Sequence, residues 1–273
     1  MCTDSNRQTQ LRQAALDHHT YPVAGKQAIT TSKQLINPHD LALAYSPAVT
    51  APCEEIVKDP NTALNYTNLG NLVAVITNGT AGLGQDNIGP LAAKPVMEGK
   101  AVLYKNFANI DVFDLEIDAS DPDQLVAIIA ALELTFGGID LEDIKAPDCF
   151  YVERKLCERM KILVFHHDQH GTAIMVRETI LNGLKVAGKD IKKIKLVPSG
   201  AGATALACLG LLVKLGVARE KIFMTDLAGV VFEDRTELMD DEKRVYAQAT
   251  PARTLGRSST ARRPIWASQR AAC

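Results

Sequence analysis

A glycine-rich segment towards the end of the chain constrains the fold more than any other feature. Apolar residues alternate with lysine over 191–197, which predicts a strand, and Ser-Gly-Ala-Gly-Ala-Thr-Ala follows at 199–205. A helix is predicted over 203–215, then a second strand over 222–225 that ends at Asp226. Strand, glycine-rich turn, helix and strand in this order are typical of a dinucleotide-binding unit, which belongs to α/β proteins with a parallel sheet.

Each small residue of this turn has a physical role in binding a dinucleotide. Gly200 permits the tight turn, Gly202 lets the backbone approach a pyrophosphate, and Ala205 allows close packing of helix on strand. The helix N-terminus attracts phosphates, and Asp226 is placed to bind a ribose 2′-hydroxyl, which favours NAD over NADP without deciding between them. A tight turn built from small residues for packing alone is the alternative. The predicted cofactor-binding residues are Ser199, Gly200, Ala201, Gly202, Ala203 and Asp226.

Strands and helices also alternate earlier in the chain. Leu72–Thr77 and the strictly alternating Ile110–Asp118 are predicted strands. Between them Leu91–Phe107 is long enough for a helix, in which Pro95 is expected to lie in the first turn or to break the helix. Residues 1–20 form a polar arm for which we expect at most one short helix.

The same alternation continues towards the dinucleotide segment. The run Ser-Asp-Pro-Asp at 120–123 is expected to open a helix that ends at Leu134. A strand at Ile162–Phe165 and a helix at Gly171–Val186 follow. Strands that alternate with helices indicate an α/β protein with a largely parallel sheet.

Composition excludes several classes of protein. The net charge of −2 gives no electrostatic basis for binding nucleic acid or an acidic membrane surface. No stretch approaches the ~20 apolar residues of a membrane span, and the N-terminus has no apolar core like that of a signal peptide, so we expect a cytoplasmic protein. The 6 cysteines are scattered without a C-x-x-C pair, which favours reduced, mostly buried thiols over disulfides.

Three acidic residues are candidates for a metal site. Glu142 and Asp143 lie between apolar residues just after a pair of glycines, and Asp168 comes directly after a predicted strand. Neighbouring acids reach one cation only from a strand end or a loop. Carboxylates without a cysteine partner suit Mg²⁺ or Mn²⁺. A helix N-cap and a solvated acid are the alternative for the first two.

A zinc site is a second alternative, because His166 and His170 are spaced like a helical ligand pair. His167 stands where a zinc metalloprotease needs glutamate, however, and the segment is predicted to leave a strand rather than to lie within a helix. Both points argue against zinc.

Seven segments, in this order, resemble malic enzymes of the bacterial type. The resemblance covers about residues 15–256. The segments are DLALAYSPAV at 40–49, NLVAVITNGTA at 71–81, KPVMEGK at 94–100, IDVFD at 110–114, TFGGIDLEDIKAP at 135–147, DQHGTA at 168–173 and SGAGA at 199–203.

The resemblance implies oxidative decarboxylation of L-malate to pyruvate and CO₂, with hydride transfer to NAD or NADP and a Mg²⁺ or Mn²⁺ ion. Matched position by position, it makes Glu142, Asp143 and Asp168 the metal ligands. It makes Lys100 the base that takes the 2-hydroxyl proton and Tyr45 the acid that protonates C3 of enolpyruvate. A solvated helix lysine and a loop tyrosine are the alternatives for these two.

The resemblance also implies an organisation. It places an N-terminal malic enzyme domain with a parallel or mixed sheet at residues 21–168 and the first part of a Rossmann-type NAD(P)-binding domain at 169–256. It further implies a homodimer or a higher homo-oligomer.

The sequence departs from the family pattern in three segments. Gln85 and Asp86 are interposed in the glycine-rich run that begins at Gly82. His167 stands where the family commonly has a second aspartate beside the metal ligand, and Ala48 replaces a usual glycine.

The nucleotide-binding domain is predicted to be incomplete, because only two of its roughly five or six strands precede Gly256. Residues 257–273 have four arginines and no acid. With suitable codons, reverse translation of this stretch with one base added before it gives EVIDGAPTYLGLSAGGV, which resembles the family's continuation. We therefore expect 257–273 to be a frameshifted, non-native tail and turnover to be impaired. A non-catalytic dimerisation or binding module and malate decarboxylation to lactate are the alternative functions.

Overall fold

The computed structural model describes residues 3–81 and 87–254. The chain divides into two compact units. Unit 1 contains the residues up to Asp140 and Leu156–Val164, and unit 2 contains Leu141–Lys155 and the residues from Phe165 onwards. The predicted tail at 257–273 lies outside the described residues.

Helices and strands alternate through most of the described chain. The helices are α1 Thr3–Thr20, α2 Pro38–Ala44, α3 Thr50–Lys58, α4 Ala63–Tyr66, α5 Pro90–Ala108, α6 Pro122–Ala130, α7 Asp148–Arg159, α8 His167–Val186, α9 Ala203–Lys214 and α10 Asp241–Arg244. The strands are β1 Leu72–Thr77, β2 Asp111–Glu116, β3 Gly138–Leu141, β4 Leu163–His166, β5 Thr225–Asp226 and β6 Gly229–Val230.

The main sheet has four strands in the order β2-β1-β3-β4. β1 and β2 are parallel, in a register that pairs Leu72 with Asp111 and Thr77 with Glu116. This confirms the α/β prediction, and the bounds of β1 match those predicted from its β-branched run. The largest fully buried side chains of unit 1 come from the sheet and from α5, α6 and α7, and they include Ile76, Met97, Leu125, Ile129, Ile139 and Leu156.

The turn after β1 depends on a glycine. Gly79 has φ +65°, and a Cβ placed there would lie 2.2 Å from the carbonyl oxygen of Gly89. The carbonyl of Gly79 also accepts hydrogen bonds from the backbone N–H groups of Ile88 and Gly89. The two ends of the intervening loop are therefore held together. The interposed Gln85 and Asp86 lie outside the described residues.

Helix α5 corrects the prediction for Pro95. The proline lies inside the helix rather than in its first turn, and the helix continues to Ala108. Pro95 has no N–H to donate to the carbonyl of Leu91, so one helical hydrogen bond is absent. The carbonyl of Pro95 accepts a 2.6 Å hydrogen bond from Nζ of Lys26. The prediction failed because the surrounding helix tolerates one lost bond.

The N-terminal arm is more helical than predicted. α1 is a single helix of 18 residues rather than at most a short one. Helices α2, α3 and α4 follow, and they contain no buried residue. Apolar side chains in this region are instead exposed to solvent, and they include Leu11, Tyr21, Val23, Ile29, Leu43, Tyr45, Val57 and Leu64.

Other boundaries moved by a few residues. Asp121 caps α6 as predicted, because its side chain accepts from the N–H of Asp123, but α6 ends at Ala130 rather than at Leu134. Helix α8 begins at His167, four residues before the predicted Gly171, since the side chain of His166 caps its first turn.

Unit 2 contains the glycine-rich turn, and its core is built around α9. The predicted first strand at 191–197 is wrong as a continuous strand. Residues 191–193 form a 3₁₀ turn, and parallel bridges link only Leu196 to Ile222 and Ser199 to Thr225. Pro198 has no N–H to donate, which interrupts a ladder between these bridges. The second strand is short and forms an antiparallel pair, β5-β6, that the sequence reading did not predict.

Two expectations from composition are tested in the described part of the chain. None of its helices is both long and apolar enough to span a membrane. Its cysteines are thiols, of which Cys149 and Cys208 are buried and Cys53 and Cys157 are exposed. Only half of these four are buried, so the expectation of mostly buried thiols is not met among the described cysteines.

Candidate metal and dinucleotide sites

Unit 2 brings the three predicted metal-ligating carboxylates together. Glu142 and Asp143 directly follow β3, and Asp168 lies in the first turn of α8 after β4, which is the neighbouring strand. One oxygen of each carboxylate lies within 4.8 Å of the others. Like charges this close repel one another unless a cation compensates them. A divalent ion with a preference for oxygen ligands fits this donor set.

Asp143 holds the cluster through its backbone as well as its side chain. It has φ +52°, in the left-handed region that few residues other than glycine adopt, although aspartate and asparagine tolerate it best. In this conformation its N–H donates a 3.0 Å hydrogen bond to Oδ2 of Asp168. Glu142 and Asp143 are 3% and 8% exposed, so both carboxylates approach the cluster from the protein interior.

Two histidines flank Asp168 and have protein partners. Nδ1 of His166 accepts from the N–H of Gln169, and burial lowers the pKa of the His166 imidazole. Nε2 of His170 lies 2.7 Å from a carboxylate oxygen of Glu153, and this contact raises the pKa of His170. Nε2 of Gln169 donates to the other oxygen of Glu153.

These contacts bear on the zinc alternative. His167–His170 lie in the first turn of α8, which corrects the prediction that the segment lies outside a helix. The contacts of His166 and His170 are those of a helix cap and an ion pair. Glu153, which anchors the start of α8, was missed because no motif marks it.

His167 lies next to the carboxylate cluster. Its Nδ1 is 4.0 Å from Oε1 of Glu142, and its side chain is 38% exposed. Its ring occupies the space above Gly171, where a Cβ would lie 2.9 Å from the ring. The residue that departs from the family pattern therefore borders the predicted metal site.

The glycine-rich turn has the geometry of an anion-binding helix start. Gly200 has φ +123°, and its N–H donates a 2.8 Å hydrogen bond to the carbonyl of Thr225. Gly202 is the N-cap of α9, with no side-chain capping hydrogen bond. A Cβ at either glycine would meet no atom within 4 Å, so space remains in front of the helix N-terminus. Such a terminus offers backbone N–H groups to a phosphate.

Asp226 ends β5, as predicted, but its carboxylate already has partners. Nη2 of Arg235 donates to Oδ2, the N–H of Ala228 donates to Oδ1, and Nζ of Lys243 lies 3.6 Å from Oδ2. Arg235 is only 4% exposed and also donates to the carbonyls of Gly229 and Val230. The sequence reading missed Arg235, which orients the acid.

The two predicted catalytic residues lie in unit 1. Tyr45 follows α2, and its side chain is 73% exposed. Lys100 is half-buried in α5, one turn before Tyr104, whose hydroxyl donates a 2.7 Å hydrogen bond to Asp140. Lys100 thus lies within a helix, and Tyr45 lies at the end of one. Their roles towards the carboxylates of unit 2 stay predictions.

A strand-end carboxylate cluster and a glycine-rich dinucleotide turn on one α/β chain are the combination expected of a metal-assisted, dinucleotide-dependent oxidoreductase. Comparison with known proteins identifies the family. Residues 24–157 match the malic enzyme N-terminal domain, and residues 169–260 match the malic enzyme NAD-binding domain. The chain belongs to the malic enzyme family.

Individual relatives agree with this assignment. The NAD-dependent malic enzyme of Rhizobium meliloti is 61% identical over 246 residues, which are 90% of this chain and 32% of the relative. The NADP-dependent malic enzyme of Haemophilus influenzae is 60% identical over 238 residues, which are 87% of this chain and 32% of the relative. The crystal structure of malic enzyme from Pyrococcus horikoshii superposes with a TM-score of 0.81 at 40% identity, over 91% of this chain and 58% of that one. The chain thus spans about a third of the length of these two curated relatives.

Proposed function

We propose that this chain carries the metal, substrate and nucleotide sites of an enzyme that oxidatively decarboxylates L-malate to pyruvate and CO₂ and reduces NAD or NADP. The observation that carries the proposal is the carboxylate cluster of Glu142, Asp143 and Asp168, whose oxygens lie within 4.8 Å of one another. The α9 N-terminus in the same unit supplies a place for the dinucleotide phosphates.

The metal site would be formed by the three carboxylates, which suit Mg²⁺ or Mn²⁺. When bound, such an ion lowers the pKa of the malate 2-hydroxyl and stabilises the negative charge of the enolate. The hydrogen bond from the N–H of Asp143 to Asp168 leaves the other oxygen of Asp168 available to a ligand. The backbone of Asp143 therefore orients Asp168, while its side chain offers a ligand oxygen to the same ion.

Lys100 and Tyr45 would move the protons. In its neutral form, the amine of Lys100 takes the proton from the 2-hydroxyl while C2 gives a hydride to the nicotinamide ring. The C3–C4 bond then breaks, CO₂ leaves, and the electron pair stays on enolpyruvate. The phenol of Tyr45 protonates C3 to give pyruvate. Lys100→Met is expected to remove whatever malate turnover the native chain retains, while Mn²⁺ binding stays unchanged.

The nucleotide would lie against Ser199–Ala203, with Asp226 near the adenosine ribose. The relatives with 61% and 60% identity are named for NAD and NADP respectively, so overall identity does not choose between the cofactors. Titration of the chain with NADH and with NADPH, followed by the fluorescence of the reduced nicotinamide, measures the preference directly.

Calorimetric titration with MnCl₂ tests the metal site. The native chain should bind Mn²⁺, and Asp168→Asn should weaken that binding by more than about tenfold. Loss of a residue that only supports a ligand already lowers metal affinity by about that factor, and loss of a ligand carboxylate should lower it at least as much. Asp241→Asn is the matched control, because the Asp241 side chain is fully exposed on α10. Equal affinity in all three proteins would overturn the proposed site.

Turnover is expected to be weak or absent in this chain, and malate-dependent formation of NADH or NADPH measures it. A rate typical of intact malic enzymes would contradict the predicted impairment. Pyruvate is the expected product; lactate with no net nucleotide reduction would instead indicate malolactic decarboxylation. The cytoplasmic location predicted from the N-terminus belongs to the same proposal.

Self-association is the second part of the proposal. Helices α2, α3 and α4 bury no residue of their own, while large apolar side chains in and beside them are exposed. Exposed apolar clusters of this kind mark protein interfaces. We therefore propose that this region pairs with a second copy of the chain. Light scattering should give twice the mass of 29.6 kDa, and Val57→Asp should restore the monomer.

A further inference from the structure

His167 is the residue that distinguishes this carboxylate cluster from an all-oxygen site. It follows β4 directly, begins α8 and immediately precedes the predicted ligand Asp168. Its Nδ1 lies 4.0 Å from Oε1 of Glu142, beyond hydrogen-bonding distance. The ring is neither buried nor remote, so it can face an ion that enters from solvent.

We propose that His167 supplies an imidazole nitrogen to the ion held by Glu142, Asp143 and Asp168. The site then has mixed oxygen and nitrogen ligands, and its preference moves from Mg²⁺ towards divalent transition ions. This inference rests on the proposed metal site and goes beyond it, because it assigns a further ligand and a metal selectivity.

The spacing of the donor atoms allows a shared ion. Ligand bonds to Mg²⁺ or to first-row ions are about 2.0–2.2 Å long, so two donors on one ion lie at most ~4.4 Å apart. The 4.0 Å between His167 Nδ1 and Glu142 Oε1 falls below that limit. Glu142 is the carboxylate common to the group with Asp143 and Asp168 and to a second group of possible ligands that contains His167. A shared ion would therefore lie at Glu142, with the imidazole moving towards Asp143 and Asp168.

Gly171 gives the ring the room that this position requires. A Cβ at residue 171 would lie 2.9 Å from Cε1, 3.0 Å from Nδ1 and 3.2 Å from Nε2 of His167. Any side chain at 171 would therefore displace the ring. The imidazole is confined between this glycine and the Glu142 carboxylate, which reduces the entropy that ligation has to overcome.

The chemistry of the donors determines which ions benefit. Mg²⁺ prefers oxygen ligands and holds its water tightly, whereas Fe²⁺, Co²⁺, Ni²⁺ and Zn²⁺ accept imidazole readily. A carboxylate at position 167 would add negative charge and favour Mg²⁺. A neutral imidazole there adds a softer donor and no charge.

Two measurements on the full chain test the proposal. Electron spin echo modulation of bound Mn²⁺ detects a directly coordinated ¹⁴N nucleus, and competition calorimetry gives the ratio of Co²⁺ to Mg²⁺ affinity. The variants are His167→Asp, which replaces nitrogen with oxygen, and His170→Gln, which removes a neighbouring imidazole that contacts Glu153 instead. Asp168→Asn reports on the carboxylate site itself.

The native chain and His170→Gln should show the ¹⁴N modulation, and His167→Asp should lose it. The Co²⁺ to Mg²⁺ affinity ratio should fall about tenfold in His167→Asp. Mn²⁺ binding that depends on Asp168 but shows no ¹⁴N modulation, or keeps it in His167→Asp, would overturn the ligand role of His167 alone. Absence of Asp168-dependent binding would instead overturn the proposed metal site and this inference with it.

Discussion

The backbone N–H of Asp143 donates a hydrogen bond to Oδ2 of Asp168 across 3.0 Å, and the two residues belong to the same cluster of predicted metal ligands. Asp143 makes this bond in the left-handed conformation, at φ +52°. A backbone conformation that is uncommon for non-glycine residues is retained where the surrounding structure determines it, often at a functional site. The first two carboxylates are therefore oriented towards the third before any ion binds.

Asp143→Asn should separate this backbone role from the charge of the side chain. Asparagine tolerates the left-handed region as well as aspartate does, so the fold and the hydrogen bond to Asp168 should persist. Loss of the carboxylate should weaken Mn²⁺ binding by about tenfold or more, measured by calorimetry.

Asp143→Ala provides the comparison, because alanine loses the charge and is also strained at positive φ by roughly 1–2 kcal/mol. Its thermal unfolding midpoint should fall below that of Asp143→Asn. Equal midpoints would show that the conformation at this position costs nothing.

Arg235→Met should strongly destabilise unit 2. The guanidinium is 4% exposed and donates to the Asp226 carboxylate and to the carbonyls of Gly229 and Val230. Removing the guanidinium takes the arginine partner from the Asp226 carboxylate and a side-chain donor from three carbonyls, those of Gly229, Val230 and Glu237, and breaking a buried pair typically costs about 3–5 kcal/mol. Urea unfolding measures the loss. Arg244→Met, at an exposed position of α10 that pairs with Asp241, should cost less than about 1 kcal/mol.

Local sequence patterns predicted the elements that are determined by residues adjacent in the sequence. The bounds of β1 followed from a β-branched run closed by Asn78 and Gly79, and α9 followed from the glycine-rich turn that precedes it. Glu142, Asp143 and Asp168 were predicted as one metal group, but β3, the strand that precedes the first two, was not predicted, and its place beside β4 is seen only in the structure.

Features that depend on distant partners were not predictable in this way. The lysine alternation over 191–197 has strand periodicity, yet Pro198 and the available partners leave only isolated bridges there. Arg235 belongs to no motif, and its role arises only when β5 and β6 fold back on each other. Aspartate at 143 is compatible with positive φ, but no pattern in the sequence requires it.

Thiol labelling should distinguish the cysteines of the native chain. Cys149 is fully buried, and burial raises the pKa of its thiol to about 12, so the reactive thiolate is scarce at neutral pH. Cys53 is exposed. Iodoacetamide followed by peptide mass mapping should show Cys53 labelled in the folded chain and Cys149 labelled only after unfolding. Fast labelling of Cys149 without urea would contradict the packing of α7.

Glu116 should make unit 1 less stable as the pH rises. Burial first, and then the neighbouring Asp114, raise the pKa of the Glu116 carboxyl above its ordinary value. The folded state therefore holds this proton more tightly than the unfolded state, and the free energy of unfolding declines as the pH increases through the unfolded pKa. Glu116→Gln carries no such proton. Its free energy of unfolding should rise relative to the native chain between about pH 4 and pH 7.

Removing Lys94 tests the same pH dependence by raising the pKa of Glu116 further. Its Nζ lies 3.5 Å from Oε2 of Glu116 and lowers the pKa of that group, partly offsetting the effect of burial. Lys94→Met removes the cation, so the pKa of Glu116 should rise further and the loss of stability with pH should become steeper than in the native chain. In the double variant with Glu116→Gln the added steepness should disappear. If Lys94→Met is equally steep with and without Glu116, another group is responsible for the pH dependence, and the buried carboxyl of β2 is ionised at little cost.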